Sequence, residues 1–266
     1  MKKYYTFILL AAAVIVGAMI WWMYYSSPNP YSGGQGSTAA VQTGSQSGSG
    51  TVYSEAPTPS RNLGRAVFTL SDAAVALNDL RSLYLPVNAV RIHNAKGWTT
   101  VLSVPQVYDL LSLYSLRRHV VVADVKLEAG TYDQVALTLG EVGLTTNHGQ
   151  AEIAVVPSKE IKMATNLTVT KGGISSLALD FLSGQSLFTA PDGQYIFAPV
   201  VKLDTLSSVS STQIFPQTHA IEVFGGVSNF NGTYGMDEMG VMKLGFSFEP
   251  ITVFQVVNGS VKVIAK

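Results

Sequence analysis

Four histidines, His93, His119, His148 and His219, are the first residues to test for chemistry. A neutral imidazole can ligate a metal or relay a proton. Their spacing contains no H-x-x-x-H or H-x-H pair, the patterns that put two ligands on one face of an element, so they read as surface or turn residues. Asp72, Asp79, Asp180 and Asp204 carry the hard oxygens an extracellular calcium site would use. No D-x-D-x-D-G loop surrounds them, and Asp72, at the end of an apolar run, reads as a turn former. Asp237 and Glu238 lie between methionines and glycines in Gly235-Met236-Asp237-Glu238-Met239-Gly240, which reads as a solvated loop. There is no G-x-S-x-G elbow, P-loop or dinucleotide fingerprint. There is also no cysteine, which excludes disulfides, thiolate metal sites and a lipidated N-terminal cysteine. The expectation is a chain with no catalytic, metal or cofactor residues, calcium being the one ion its donors could serve.

Two residue classes point to recognition instead. Asn166, Asn231 and Asn258 each begin an N-x-Ser/Thr triplet, which could accept N-linked sugar if exported. Phe230 and Tyr234 flank Asn231-Gly232 in a stretch that reads as a loop, so they are the expected exposed aromatic contacts for a protein or glycan. Trp98 and Tyr195 are the other aromatics considered, and Trp98, inside a strand pattern, is expected in the core.

The element that places these residues outside the cell is N-terminal. Residues 4–25 contain no charge. At 1.5 Å per residue they span about 33 Å of helix, matching a hydrocarbon core of about 30 Å. Tyr4 and Tyr5 mark one interface, and Trp21, Trp22, Tyr24 and Tyr25 the other. Lys2 and Lys3 precede the segment, and no Lys or Arg follows until Arg61. By the positive-inside rule the N-terminus is cytoplasmic and the rest extracytoplasmic. A cleaved signal peptide is the rival reading, but the apolar run is long and its bulky Trp21–Tyr25 end is a poor cleavage site. Residues 26–62 then form a Ser/Gly/Pro-rich stalk that cannot bury enough apolar surface to order itself.

From residue 63 onward the pattern is all-β. Runs at 66–70, 83–92, 98–102, 119–127, 134–139, 151–156, 166–170, 175–181 and 195–203 are punctuated by Gly, Pro and Asn turns. Pro86 cannot donate a ladder hydrogen bond, so 83–92 is an edge strand or is interrupted by a bulge. Only 106–116 has helical spacing. Further strands are expected at 220–224, 241–248, 251–257 and 260–264. Such spacing indicates a sandwich or barrel. The domain boundaries read as 1–25, 26–62, 63–207 and a β extension at 208–266. Balanced charge, 17 basic against 17 acidic residues, argues against nucleic acid as a partner.

An ordered series of short motifs carries a family resemblance. It runs Ser71-Asp72-Ala73, Gly97-Trp98-Thr99, Tyr108-Asp109-Leu110-Leu111, Glu128-Ala129-Gly130-Thr131-Tyr132, Val156-Pro157-Ser158, Leu179-Asp180-Phe181 and Phe197-Ala198-Pro199. This series resembles the domain of unknown function DUF4382 family of bacterial and archaeal surface proteins, over about residues 64–206. The resemblance implies a β-sandwich ectodomain, immunoglobulin-like or prealbumin-like, and supplies no catalytic residues. Many members look like lipoproteins; this chain has no cysteine, so the 4–25 segment must anchor it. The expected function is a single-pass, membrane-anchored module of the cell envelope, noncatalytic, binding an envelope protein or glycan or serving as structure. The alternatives are an enzyme or accessory subunit with an unrecognised site, or a secreted protein.

Overall fold

The computed structural model describes residues 62–73 and 77–265. The expected membrane helix at 4–25, with Lys2, Lys3 and its aromatic flanks, lies outside the described residues, as does the stalk up to residue 61. Among the described residues no helix is long and apolar enough to cross a membrane.

The chain begins with β1 (Leu63–Asp72), β2 (Leu80–Asn94), β3 (Gly97–Leu102), β4 (Gln106–Asp109) and helix α1 (Leu110–Leu116). Next come β5 (Val120–Glu128), β6 (Gly130–Leu139), β7 (Val142–Thr146), β8 (Ala151–Ala154), β9 (Glu160–Val169) and β10 (Ile174–Phe181). A one-turn helix α2 (Ser183–Ser186) leads to β11 (Leu187–Thr189), β12 (Tyr195–Phe197) and β13 (Val200–Ser207). The remainder is β14 (Ser211–Phe215), β15 (Ala220–Phe224), β16 (Val227–Met236), β17 (Met242–Leu244), β18 (Val253–Val257) and β19 (Ser260–Ala265).

These strands make an all-β fold with two large sheets. The first has eight strands in the order β14-β15-β5-β1-β10-β13-β16-β17, and the second runs β8-β7-β2-β6-β9 with β3 and β4 on the other edge of β2. Period-two alternation explains how they meet. On β9, Ile161, Met163, Leu167 and Val169 are buried while Glu160, Lys162, Ala164 and Asn166 face out. On β1, Ala66, Phe68 and Leu70 enter one core shared with Leu83, Leu85, Val135 and Leu137 of the second sheet. The β1–β10 pair is parallel, whereas their other partners run antiparallel.

Pro86 is accommodated inside a central strand, not at an edge. β2 pairs with β7 through Leu80–Tyr84 and with β6 from Val87 onward, with a register shift between Val87 and Ala89. The missing N–H thus falls where two partner strands meet, and the bulge shifts the buried set from Leu83, Leu85 and Val87 to Val90 and Ile92. Gly140 closes the junction, donating its N–H to the Pro86 carbonyl at 2.8 Å. A Cβ there would stand 2.8 Å from the Pro86 Cβ.

β7, β11, β14 and β16 lie where no strand was expected, and three of the expected stretches take a different form. Only 110–116 of the helical patch is helix, because residues 106–109 pair with β2. Asp109 caps the helix, its carboxylate accepting from the Ser112 N–H at 3.5 Å, and Arg117 ends it at φ 50°. The run 195–203 splits into β12 and β13, because Pro199 interrupts the ladder and Ser186 takes the neighbouring N–H groups of Ala198 and Val200. Of 241–248 only 242–244 is strand; Gly245 turns away at φ 69°.

β9 is the last strand of its sheet, an edge that would invite another chain. Its carbonyls are closed by hydroxyls from the facing sheet: Tyr234 donates to Ala164 at 2.8 Å, Thr205 to Asn166 at 2.9 Å and Ser175 to Thr168 at 2.7 Å. Burial raises the pKa of Tyr234, keeping it a donor. Tyr234→Phe removes one such bond without a cavity. Urea unfolding is expected to show a loss of about 1 kcal/mol; no loss would mean water serves the carbonyl equally well.

The chain beyond Ser207 supplies β14 to β17 of the first sheet, and β18–β19 form a separate hairpin. An isolated hairpin is marginal in water. Phe254 of β18 packs against Phe188 and Phe248, with ring centroids 4.7 and 4.8 Å apart, and Ala190, Ile196 and Val261 complete this second small core.

Candidate functional site

Outward-facing residues of β1, β10 and β13 floor a groove on the first sheet. The β14–β15 hairpin joins that sheet at Ala220, opposite Val120, and walls the groove with Ile221, Glu222, Val223 and Phe224. One cavity of about 390 Å³ has Thr69, Ser176, Ala178 and Asp204 in its floor. A second of about 270 Å³ lies between Ser71, Asp72 and Asp180 and the end of α1, where Tyr114, Arg117 and Arg118 stand; His119 borders both. Small floor side chains leave the space open, and three carboxylates that border it accept hydrogen bonds. Asp180 accepts from the Ser71 hydroxyl at 2.9 Å, and Asp204 from Asn231 at 3.3 Å. Asp72 is buried and accepts from the Ser183 N–H at 3.1 Å and the Ser183 hydroxyl at 2.6 Å.

The outer face of the second sheet carries a different cluster. Trp98 on β3 is 39% exposed, which corrects its expected core position. The cause is register: His93 pairs with Trp98, and with Val90 and Ile92 turned inward, Arg91 and His93 face out. The Arg91 guanidinium lies 5.3 Å from the Trp98 ring centroid and the His93 ring 5.0 Å from it. Glu160 holds Arg91 at 2.5 Å and also reaches Lys162 at 3.4 Å, and Asp133 meets His93 Nδ1 at 2.7 Å. At the adjoining turn Lys96 pairs with Glu128; that hydrogen bond, then the charge behind it, raises the Lys96 pKa. The placement was legible in the sequence: a tight turn at Asn94-Ala95-Lys96-Gly97 fixes which residues oppose, and His93 must share its face with Trp98.

Phe230 and Tyr234 are corrected in the opposite sense. They sit on β16, not in a loop; Tyr234 is buried, and Phe230, half-buried, stacks on it with centroids 6.2 Å apart. Asp237 is also buried rather than solvated, and Lys243 lies 2.6 Å from it. Asn166, Asn231 and Asn258 are all exposed, on β9, on β16 and in the β18–β19 turn. His119, His148 and His219 are exposed; His119 and His219 flank the Val120–Ala220 pairing on neighbouring chain segments, and His219 lies in a left-handed turn at φ 52°. Asp79 lies in the turn before β2. No group of three or more His, Asp or Glu is placed to hold a metal ion among the described residues.

A family model described as "Domain of unknown function (DUF4382)" matches residues 64–199, just over half the chain. No curated protein and no solved structure matches.

Proposed function

We propose, on the premise that this chain belongs to the DUF4382 family, that it is a membrane-anchored extracytoplasmic module that binds an envelope component or serves as structure, without catalysis. The observation that carries this reading is the uncharged 22-residue run at 4–25, with aromatic residues at both ends, Lys2 and Lys3 directly before it and no Lys or Arg after it until Arg61. Its N-terminus stays in the cytoplasm, residues 26–62 act as a stalk, and residues 63–207 form a β-sandwich of immunoglobulin-like or prealbumin-like type. Residues 208–266 extend that sandwich.

Protease added to intact cells is expected to release everything after Tyr25, cutting first in the stalk. Full protection in intact cells, lost on lysis, would overturn the orientation. N-terminal sequencing of the membrane fraction is expected to recover Lys2 and Lys3, which a cleaved secreted form would lack.

A further inference from the structure

We propose that the Trp98 face of the second sheet stacks on the ring of a neutral saccharide. This names a ligand for the binding-module reading and rests on that reading only for where the ligand is met.

An exposed tryptophan on a solvent-facing sheet leaves apolar surface in water. Trp98 is also held before any ligand arrives, by Arg91 at 5.3 Å from its centroid and His93 at 5.0 Å. A fixed ring loses little rotamer freedom on binding. Around it stand two cations, Arg91 and Lys162, that share Glu160, and a second carboxylate, Asp133, on His93, so the formal charges of Arg91, Lys162, Glu160 and Asp133 balance. Such pairs retain lone pairs and N–H groups that can meet hydroxyls, while their field largely cancels at a distance.

That combination selects among the classes that stack on tryptophan. A nucleic acid strand also stacks, but its phosphates require cations not already held by carboxylates. A polyuronate has the same need. A neutral sugar fits, with its C–H face on the indole and its hydroxyl edge on the paired carboxylates and guanidinium. The groove on the first sheet exposes Phe224 and, at the end of α1, Tyr114, each a smaller ring than the indole.

The test uses the full chain in detergent micelles. Tetramers of β-1,4-glucose, N-acetylglucosamine and mannose are titrated calorimetrically, with tetragalacturonate as the charged control. At least one neutral tetramer is expected to bind, with Trp98→Ala weakening it about tenfold or more and Trp98→Phe less. Trp98 fluorescence, taken as the difference between wild type and Trp98→Ala so that Trp21 and Trp22 cancel, is expected to change on binding. Far-UV circular dichroism of Trp98→Phe guards against a folding artefact. Binding of no neutral tetramer, binding indifferent to both Trp98 variants, or preference for tetragalacturonate would each overturn the proposal. None of these outcomes alters the protease result, so failure here leaves the anchored-module reading to stand or fall on its own test.

Discussion

Asp72→Ala is expected to destabilise the protein by about 3–5 kcal/mol, because two charge-assisted hydrogen bonds are lost from a buried position. Asp72 ends β1 and pairs in register with Phe181, the last residue of β10. Beyond Phe181 the chain must leave the sheet, and it does so through the single turn of α2, which is too short to satisfy its own first N–H groups. The Asp72 carboxylate takes the Ser183 N–H on one oxygen and the Ser183 hydroxyl on the other. Ser183 is fully buried, so its N–H and hydroxyl are left without the acceptor that the fold provides. Asp72→Asn keeps one acceptor oxygen and is expected to lose roughly half as much. Urea unfolding followed by near-UV circular dichroism reads both. A loss below about 1 kcal/mol for the alanine variant would mean that Asp72 does not hold the β10 exit.

Asp72 also marks the limit of what the sequence discloses. Its place at the end of an apolar run was readable, but it is the last residue of β1 and its carboxylate serves a distant turn instead of a local one. Its partner lies 111 residues away, brought close only by the parallel β1–β10 pairing. Parallel neighbours need a long crossover, and no local pattern specifies which distant run returns. The first half of the fold was legible for the opposite reason: its hairpins are local, and turns such as Asn147-His148-Gly149 announce themselves, here with Gly149 at φ 79°. β16 was missed because its Asn and Gly content depresses β-propensity, and pairing with β13 overrides that. The same override placed Tyr234 over β9 instead of in solvent. The Trp98 cluster lies between these cases, since its register is local while Glu160 and Asp133 come from later strands.

The loop 237–241 is expected to make stability depend on pH at the acid end. Burial alone would raise the Asp237 pKa, but Lys243 and the N–H groups of Val241 and Met239 outweigh it, so the group titrates below the ordinary carboxylate range. One oxygen accepts both N–H groups at 2.9 Å; the other lies 2.6 Å from Lys243 Nζ. The ionised side chain is therefore the template of the turn, which Gly240 at φ 80° completes. Gly240 sits so close to residues 157–158 that a Cβ would meet the Ser158 Cβ at 2.5 Å. Asp237→Ala at neutral pH is expected to lose about 2–4 kcal/mol by urea unfolding, since two backbone donors lose a charged acceptor. A carboxylate with a depressed folded pKa contributes fully above its unfolded pKa of about 3.9 and loses that contribution as pH falls toward the folded value. The gap between wild type and Asp237→Asn should thus be constant through the neutral range and shrink below about pH 4. Lys243→Met should make that loss smaller without moving its onset, because removing the neighbouring positive charge brings the folded pKa toward the unfolded one. A gap that stays flat to the acid end would mean that folding leaves the Asp237 pKa unchanged, and one that widens there would mean that Asp237 is held as a neutral acid; either would overturn the charged template.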